Sequence, residues 1–168
     1  MTDAQDFFAS AAQVAATRRL VEAERAEHYG EMADAFDLHG NPDAAGAFRQ
    51  LASEAQETAR RLAGVGPAPV PSGFQWPDME DVIQEQDALH YMMRPYHVVE
   101  VAIASRDRML ERFRRMAEGS PAEVRARARH AVTELRDYLD SLRGRLAAMP
   151  EPERDWDEDL DPPNFDNE

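Results

Sequence analysis

Residues 8–43 read FASAAQVAATRRLVEAERAEHYGEMADAFDLHGNPD, and the spacing within this stretch decides the fold. Phe8, Ala12, Ala15, Arg19, Glu22, Ala26, Tyr29, Ala33 and Phe36 follow one another in steps of four and three, which keeps them on one face of an α-helix. A helix is expected over about Ala4–His39. Gly40-Asn41-Pro42-Asp43 stops it and starts another, because Gly and Asn suit a helix C-terminal end and Pro suits the first turn of the next. So short a turn makes the two helices antiparallel neighbours. Near the middle of the first seam stands an acid, Glu22.

Working outward, the second helix runs to about Ala63 with Ala44, Phe48, Leu51, Ala55, Thr58 and Leu62 on one face. Residues 64–73, GVGPAPVPSG, exclude helix and central strand. A linker over about 64–94 has the length of a crossover along a bundle, with a short helix expected within it at Asp78–His90. Pro95 opens a third helix whose seam is Val99, Ile103, Arg106, Leu110, Phe113 and Ala117. Gly119-Ser120-Pro121-Ala122-Glu123 is a second stop and restart, with Ser120 expected as N-cap and Glu123 as its capping-box partner. The fourth helix places Val124, Ala128, Ala131, Leu135, Tyr138 and Leu142 inward. No alternating run rich in β-branched residues indicates a strand. The expected fold is all-α: a four-helix bundle over residues 1–149, made of two antiparallel helical hairpins joined by a long crossover, with an acidic tail over 150–168.

Composition sets bounds on function. The formal charge is −14. Residues 151–168 carry nine acids and one Arg, a net of −8, which leaves −6 on the rest. That balance argues against nucleic acid and anionic lipid as partners. Mean hydropathy is −0.65, and no apolar run nears the ~20 residues of a membrane span. The acidic N-terminus lacks the layout of a signal peptide. Cys is absent, so disulfides and thiolate ligands are excluded. A cytoplasmic protein is expected. Every basic residue is Arg and none is Lys.

Several features fall together. Glu22 precedes Tyr29 by seven, Met32-Ala33 follow, and Gly40, Phe48, Ala52 and Arg61-Leu62 come in step. His90-Tyr91-Met92-Met93-Arg94-Pro95-Tyr96-His97 leads into the third helix, with Phe113 and Ala117 in register, and the tail has Asp155-Trp156-Asp157-Glu158-Asp159 and Pro162-Pro163. In these residues the chain resembles rubrerythrin-like members of the ferritin-like superfamily, over roughly Val14–Leu142 and the tail. The resemblance implies a ferritin-like four-helix bundle. In members with a di-iron centre, the first and third helices each give one Glu, and the second and fourth each give Glu-x-x-His. Two ions need bridging carboxylates and an imidazole each, all projecting inward. Here the first position is Glu22. The second-helix pair falls on Ala55 and Thr58, the third-helix Glu on Arg106, and the fourth-helix pair on Leu135 and Tyr138. One residual carboxylate cannot hold two metals, and a guanidinium repels a divalent cation in a low-dielectric core.

The resemblance therefore implies a bundle that has lost its di-iron centre, with no catalytic residue, metal or cofactor expected. A buried Glu22–Arg106 ion pair is expected in its place, assisted by the hydroxyls of Tyr29, Tyr138 and Thr58, with Ala55 and Leu135 filling vacated space. The alternative is an iron-binding oxidoreductase, peroxidase or iron-handling protein with a shifted site. Its ligands would be Glu54, Glu57, Glu134 and Asp137, each one residue before the standard position and so turned ~100° away from the seam. A third reading is a small ligand held in the space the metals left. His28 with Glu24 and Glu31, and His130 with Glu134, read as solvated faces rather than surface metal sites. His90 and His97 are expected to pack against the crossover. Met92, Met93, Met109 and Met116 read as core filler. Trp156, Leu160 and Phe165 are spaced apolar anchors, expected to dock the tail on the bundle or on a partner. The protein is expected to act through association, as a homodimer or with a related ferritin-like protein.

Overall fold

The computed structural model describes residues 6–64, 69–72, 74 and 91–153. Among these it is all-helical, a four-helix bundle with no strand: α1 Ala11–Leu38, α2 Pro42–Leu62, α3 Pro95–Gly119 and α4 Ala122–Ala148. The expected helix over Asp78–His90, most of the expected crossover, and Trp156, Leu160 and Phe165 lie outside the described residues.

The helix ends follow from local chemistry. α1 starts at Ala11, later than Ala4, because Ser10 is its N-cap: the Ser10 hydroxyl accepts from the Gln13 N–H at 3.1 Å, and the Gln13 side chain accepts from the Ala9 N–H at 2.8 Å. The Ser-x-x-Gln spacing is a capping-box signature. Between α1 and α2, Gly40 takes φ +73°, the left-handed conformation that ends helices. Asn41 then caps α2 by accepting from Ala44 N–H at 3.1 Å, with Pro42 in the first turn.

One expected cap is corrected. Ser120 does not cap α4, which has no side-chain cap hydrogen bond. The Ser120 hydroxyl donates to Met116 O at 2.7 Å and accepts from Phe8 N–H at 3.0 Å, so it ties the N-terminal segment to the end of α3. Gly119 allows that approach, since a Cβ there would lie 3.0 Å from Asp6 O.

The closest backbone approaches are within the hairpins, α1 against α2 and α3 against α4; between hairpins α2 meets α3 and α1 meets α4. The Asn41 side chain also donates to the carbonyls of Tyr91 and Met93, at 2.9 and 2.7 Å. α3 therefore begins beside the α1–α2 turn and ends, through Ser120, beside the start of α1. Surface pairs such as Arg143–Asp107 (2.8 Å) and Arg129–Glu118 (3.1 Å) join α4 to α3; exposed pairs of this kind contribute at most ~1 kcal/mol each.

Two apolar clusters fill the interior. One, near the α1–α2 turn, includes Tyr29, Phe36, Phe48, Met93, Val98 and Leu142. The other, at the opposite end, includes Phe8, Val21, Met109, Phe113, Ala128 and Leu135. Six seam positions differ from expectation: Ala12 is exposed, and Arg19, Thr58, Ile103, Leu110 and Tyr138 are half-buried, while Ala102, Met109 and Met116 take the inner places on α3. Met92 faces solvent rather than the core.

Candidate functional site

Between the two apolar clusters lies a layer of charge. Along α1, Glu22 and Arg25 fall between Val21 of one cluster and Tyr29 of the other; along α3, Ser105 and Arg106 fall between Ala102 and Met109. Mid-helix placement holds the layer far from either bundle end, and its opening to solvent is lateral, between α2 and α4.

Glu22 and Arg106 are 1 % and 6 % exposed. The Arg106 guanidinium donates to both carboxylate oxygens of Glu22, Nη1 to Oε1 at 2.6 Å and Nη2 to Oε2 at 3.0 Å. This two-pronged geometry matches a planar fork to a planar carboxylate. Burial by itself lowers the pKa of Arg106, but the Glu22 charge, with Tyr29 and Tyr138, outweighs it, and the net shift is upward. The guanidinium also lies over the Tyr138 ring, 4.5 Å from its centroid, a cation–π contact that strengthens when water is excluded.

The three hydroxyls expected to assist the pair go elsewhere. Tyr138 donates to Glu54 Oε2 at 2.6 Å, so it supports Arg106 with its ring and not its oxygen. Tyr29 accepts from Arg25 Nη1 at 3.1 Å, and the same nitrogen donates to Ser105 Oγ at 2.7 Å. Thr58 donates back to its own helix, to Glu54 O at 3.1 Å. Tyr138 and Thr58 thus give their protons to Glu54, while Arg106 engages both Glu22 oxygens.

The shifted carboxylates are spread apart. Glu54 accepts from Arg145 at 2.6 Å as well as from Tyr138. Glu134 pairs with Arg18 and with Arg61, the latter at 3.1 Å. Glu57 and Asp137 are exposed. Burial raises the pKa of Glu54 and Glu134, and their Arg neighbours (with Tyr138 at Glu54) more than offset this, so both carboxyls lie below the usual range.

The fit to a di-iron centre can be read from these donors. Of the six positions that the resemblance assigns, one is a carboxylate, and both its oxygens are held by a guanidinium. The other five offer no imidazole or carboxylate. Among the described residues no group of three or more His, Cys, Asp or Glu side chains is placed to hold a metal ion, His28 and His130 included. The residues present do not fit two iron ions. His97 is buried and accepts from the Arg94 N–H at 3.0 Å through Nδ1, closing the first turn of α3.

The sequence reading missed much of the layer. Arg18 and Arg25 are buried, at 5 % and 3 % exposure. They stand four before and three after Glu22, a same-face spacing, whereas Arg19, assigned to the seam, is half-buried. Arg61, Arg145 and Ser105 also belong to the layer or its edge. Ala55 is buried, but Leu135 does not fill the centre completely. A cavity of about 270 Å³ opens beside it, lined also by Glu22, Thr58, Arg106, Tyr138 and the Arg18–Glu134–Arg61 group, with Asp137 at its edge.

No family model, curated protein or solved structure matches this chain.

Proposed function

We propose that this chain is a rubrerythrin-like member of the ferritin-like superfamily, with a long crossover between hairpins, that has lost di-iron chemistry and acts by association with a second copy or a related chain in the cytoplasm. The observation that carries the reading is the engagement of both Glu22 oxygens by Arg106. The one carboxylate left at the six ligand positions is thereby spent on a charge inside the protein. α3 begins beside the α1–α2 turn, and those end points are what a crossover from the end of α2 requires. Among the described residues Leu38, at the α1–α2 end, stands 88 % exposed, an apolar side chain placed where a second chain could cover it.

Two measurements on the full chain test this. Light scattering across a concentration series reads the association directly: a dimer or larger species supports it, and a monomer at every concentration, with no related chain co-purifying, contradicts it. Metal analysis after expression in iron-rich medium reads the loss of chemistry. About two iron per chain would overturn the reading in favour of an iron-handling or peroxidase protein.

A further inference from the structure

Charge is unevenly spread along this acidic chain. Residues 95–149, which form the α3–α4 hairpin, carry eleven Arg against eight acids, a net of +3. Residues 11–62, the α1–α2 hairpin, carry six Arg against nine acids, a net of −3, and residues 151–168 carry −8. The second hairpin is therefore the part of the bundle that attracts an acidic segment.

A groove of about 250 Å³ opens to solvent between α3 and α4. Ala117 and Val132, both buried, give it an apolar floor, and Arg114, Arg129 and Arg136 stand around it with one acid, Glu118. Arg129 pairs with Glu118 at 3.1 Å and Arg114 reaches Glu111 at 3.8 Å, all through side chains more than half exposed. Exposed pairs of this kind hold their partners weakly. Arg136 is exposed and makes no ion pair or hydrogen bond among the described residues. The linker after α2 meets a different side of α3. Its Phe74 lies under Arg112, 4.7 Å from guanidinium carbon to ring centroid, and the two residues from Arg112 to Arg114 turn a helical side chain by ~200°.

The chain's own tail has the complementary chemistry and the reach. α4 ends at Ala148. Val132 in the groove lies sixteen residues back along it, ~24 Å at ~1.5 Å per residue. Leu160 is twelve residues past Ala148, and an extended chain of that length spans ~40 Å. Asp157, Glu158, Asp159 and Asp161 flank Leu160 in sequence. The chain also leaves α4 on the side this path needs. The Glu100 carboxyl of α3 is pushed up by burial and then by the charge of Glu151, so Glu151 stands beside α3. The geometry points to the α3–α4 groove as the docking site of this protein's own tail, with Leu160 on Ala117 and Val132 and the flanking acids beside Arg114, Arg129 and Arg136. Attachment within one chain keeps the tail at high effective concentration, so individually weak contacts suffice. The inference does not depend on how the chain associates.

The absence of Cys makes the test direct. Full-length Asn164→Cys carries a nitroxide spin label, and amide line broadening is read by NMR. Broadening is expected at Ala117, Val132 and Thr133, and not at Ala16, Ala23 and Ala59 on the α1–α2 face. It should fall severalfold with Arg136→Glu, at an exposed side chain, and at ~1 M salt, where the Debye length is ~3 Å. Leu160→Ser, outside the bundle, should have the same effect and carries the test if Arg136→Glu does not fold. A mixture of labelled chains with unlabelled, isotope-enriched ones should show no broadening. Broadening that is absent, that is equal on both hairpins, that is unchanged by both substitutions, or that occurs only in the mixture overturns the proposal.

Discussion

Separating Glu22 from Arg106 should be expensive, and removing both together should not. Each side chain is more than nine-tenths buried, and two charge-assisted hydrogen bonds join them. Arg106→Met leaves a buried carboxylate with nothing opposite it, and Glu22→Leu leaves a buried guanidinium. Removing one partner of such a pair costs about 3–5 kcal/mol, whereas replacing both by apolar groups of similar size is often neutral or stabilising. For a chain of this length each kcal/mol moves the melting temperature by roughly 2–4 °C, so each single variant should melt roughly 6–20 °C below the wild type. The double variant should return to within a few degrees of it. Urea unfolding followed by far-ultraviolet circular dichroism gives the four free energies of the cycle. Coupling of about 3 kcal/mol or more is expected; losses that add to within the ~0.5 kcal/mol of independent sites would refute the reasoning. Arg106→Lys should behave as a damaging change, because an ammonium cannot reproduce the fork.

Three further outcomes follow from the layer and the helix ends. Tyr138→Phe keeps the ring under Arg106 and loses the hydrogen bond to Glu54 (2.6 Å), so chemical denaturation should show a loss of about 1.5–3 kcal/mol; Tyr138→Leu also removes the cation–π contact and should lose more. Asn41→Ala removes the α2 cap and the two bonds to the Tyr91 and Met93 carbonyls, and should destabilise by about 2 kcal/mol or more in the same assay. The folded-state pKa values of Glu54 and Glu134 are lowered. Their contribution is therefore fully present above the unfolded carboxylate value of about 4.3 and is lost as pH falls through the folded values. Acid titration of melting temperature should show a limb below about pH 4.3 that flattens in the Glu54→Gln/Glu134→Gln variant.

The apolar part of the fold was readable because helices announce themselves by spacing. Phe36, Phe48, Leu51 and Phe113 were placed inward from their steps alone, and all are buried. The charged layer was only half readable. Arg18 and Arg25 share a face with Glu22, yet an Arg in an amphipathic helix ordinarily faces water, and only the folded chain shows carboxylates from α4 and hydroxyls from α3 waiting for them. Glu54 and Glu134 were read as solvent-facing because one residue turns a side chain by ~100°. That rotation carries it to the edge of the buried stripe rather than to its far side, and both are 27–28 % exposed and bound by Arg. The helix restart at Ser120 was legible as a break, but the use of its hydroxyl was not, since Phe8 lies 112 residues away.

Anomalous diffraction at the iron edge, from crystals of the protein grown with ferrous iron, tests the central claim most directly. The account predicts the Arg106 guanidinium within hydrogen-bonding distance of both Glu22 oxygens and no iron peak in the layer. An iron peak among Glu22, Glu54 and Glu134, with Arg106 turned out to solvent, would contradict it.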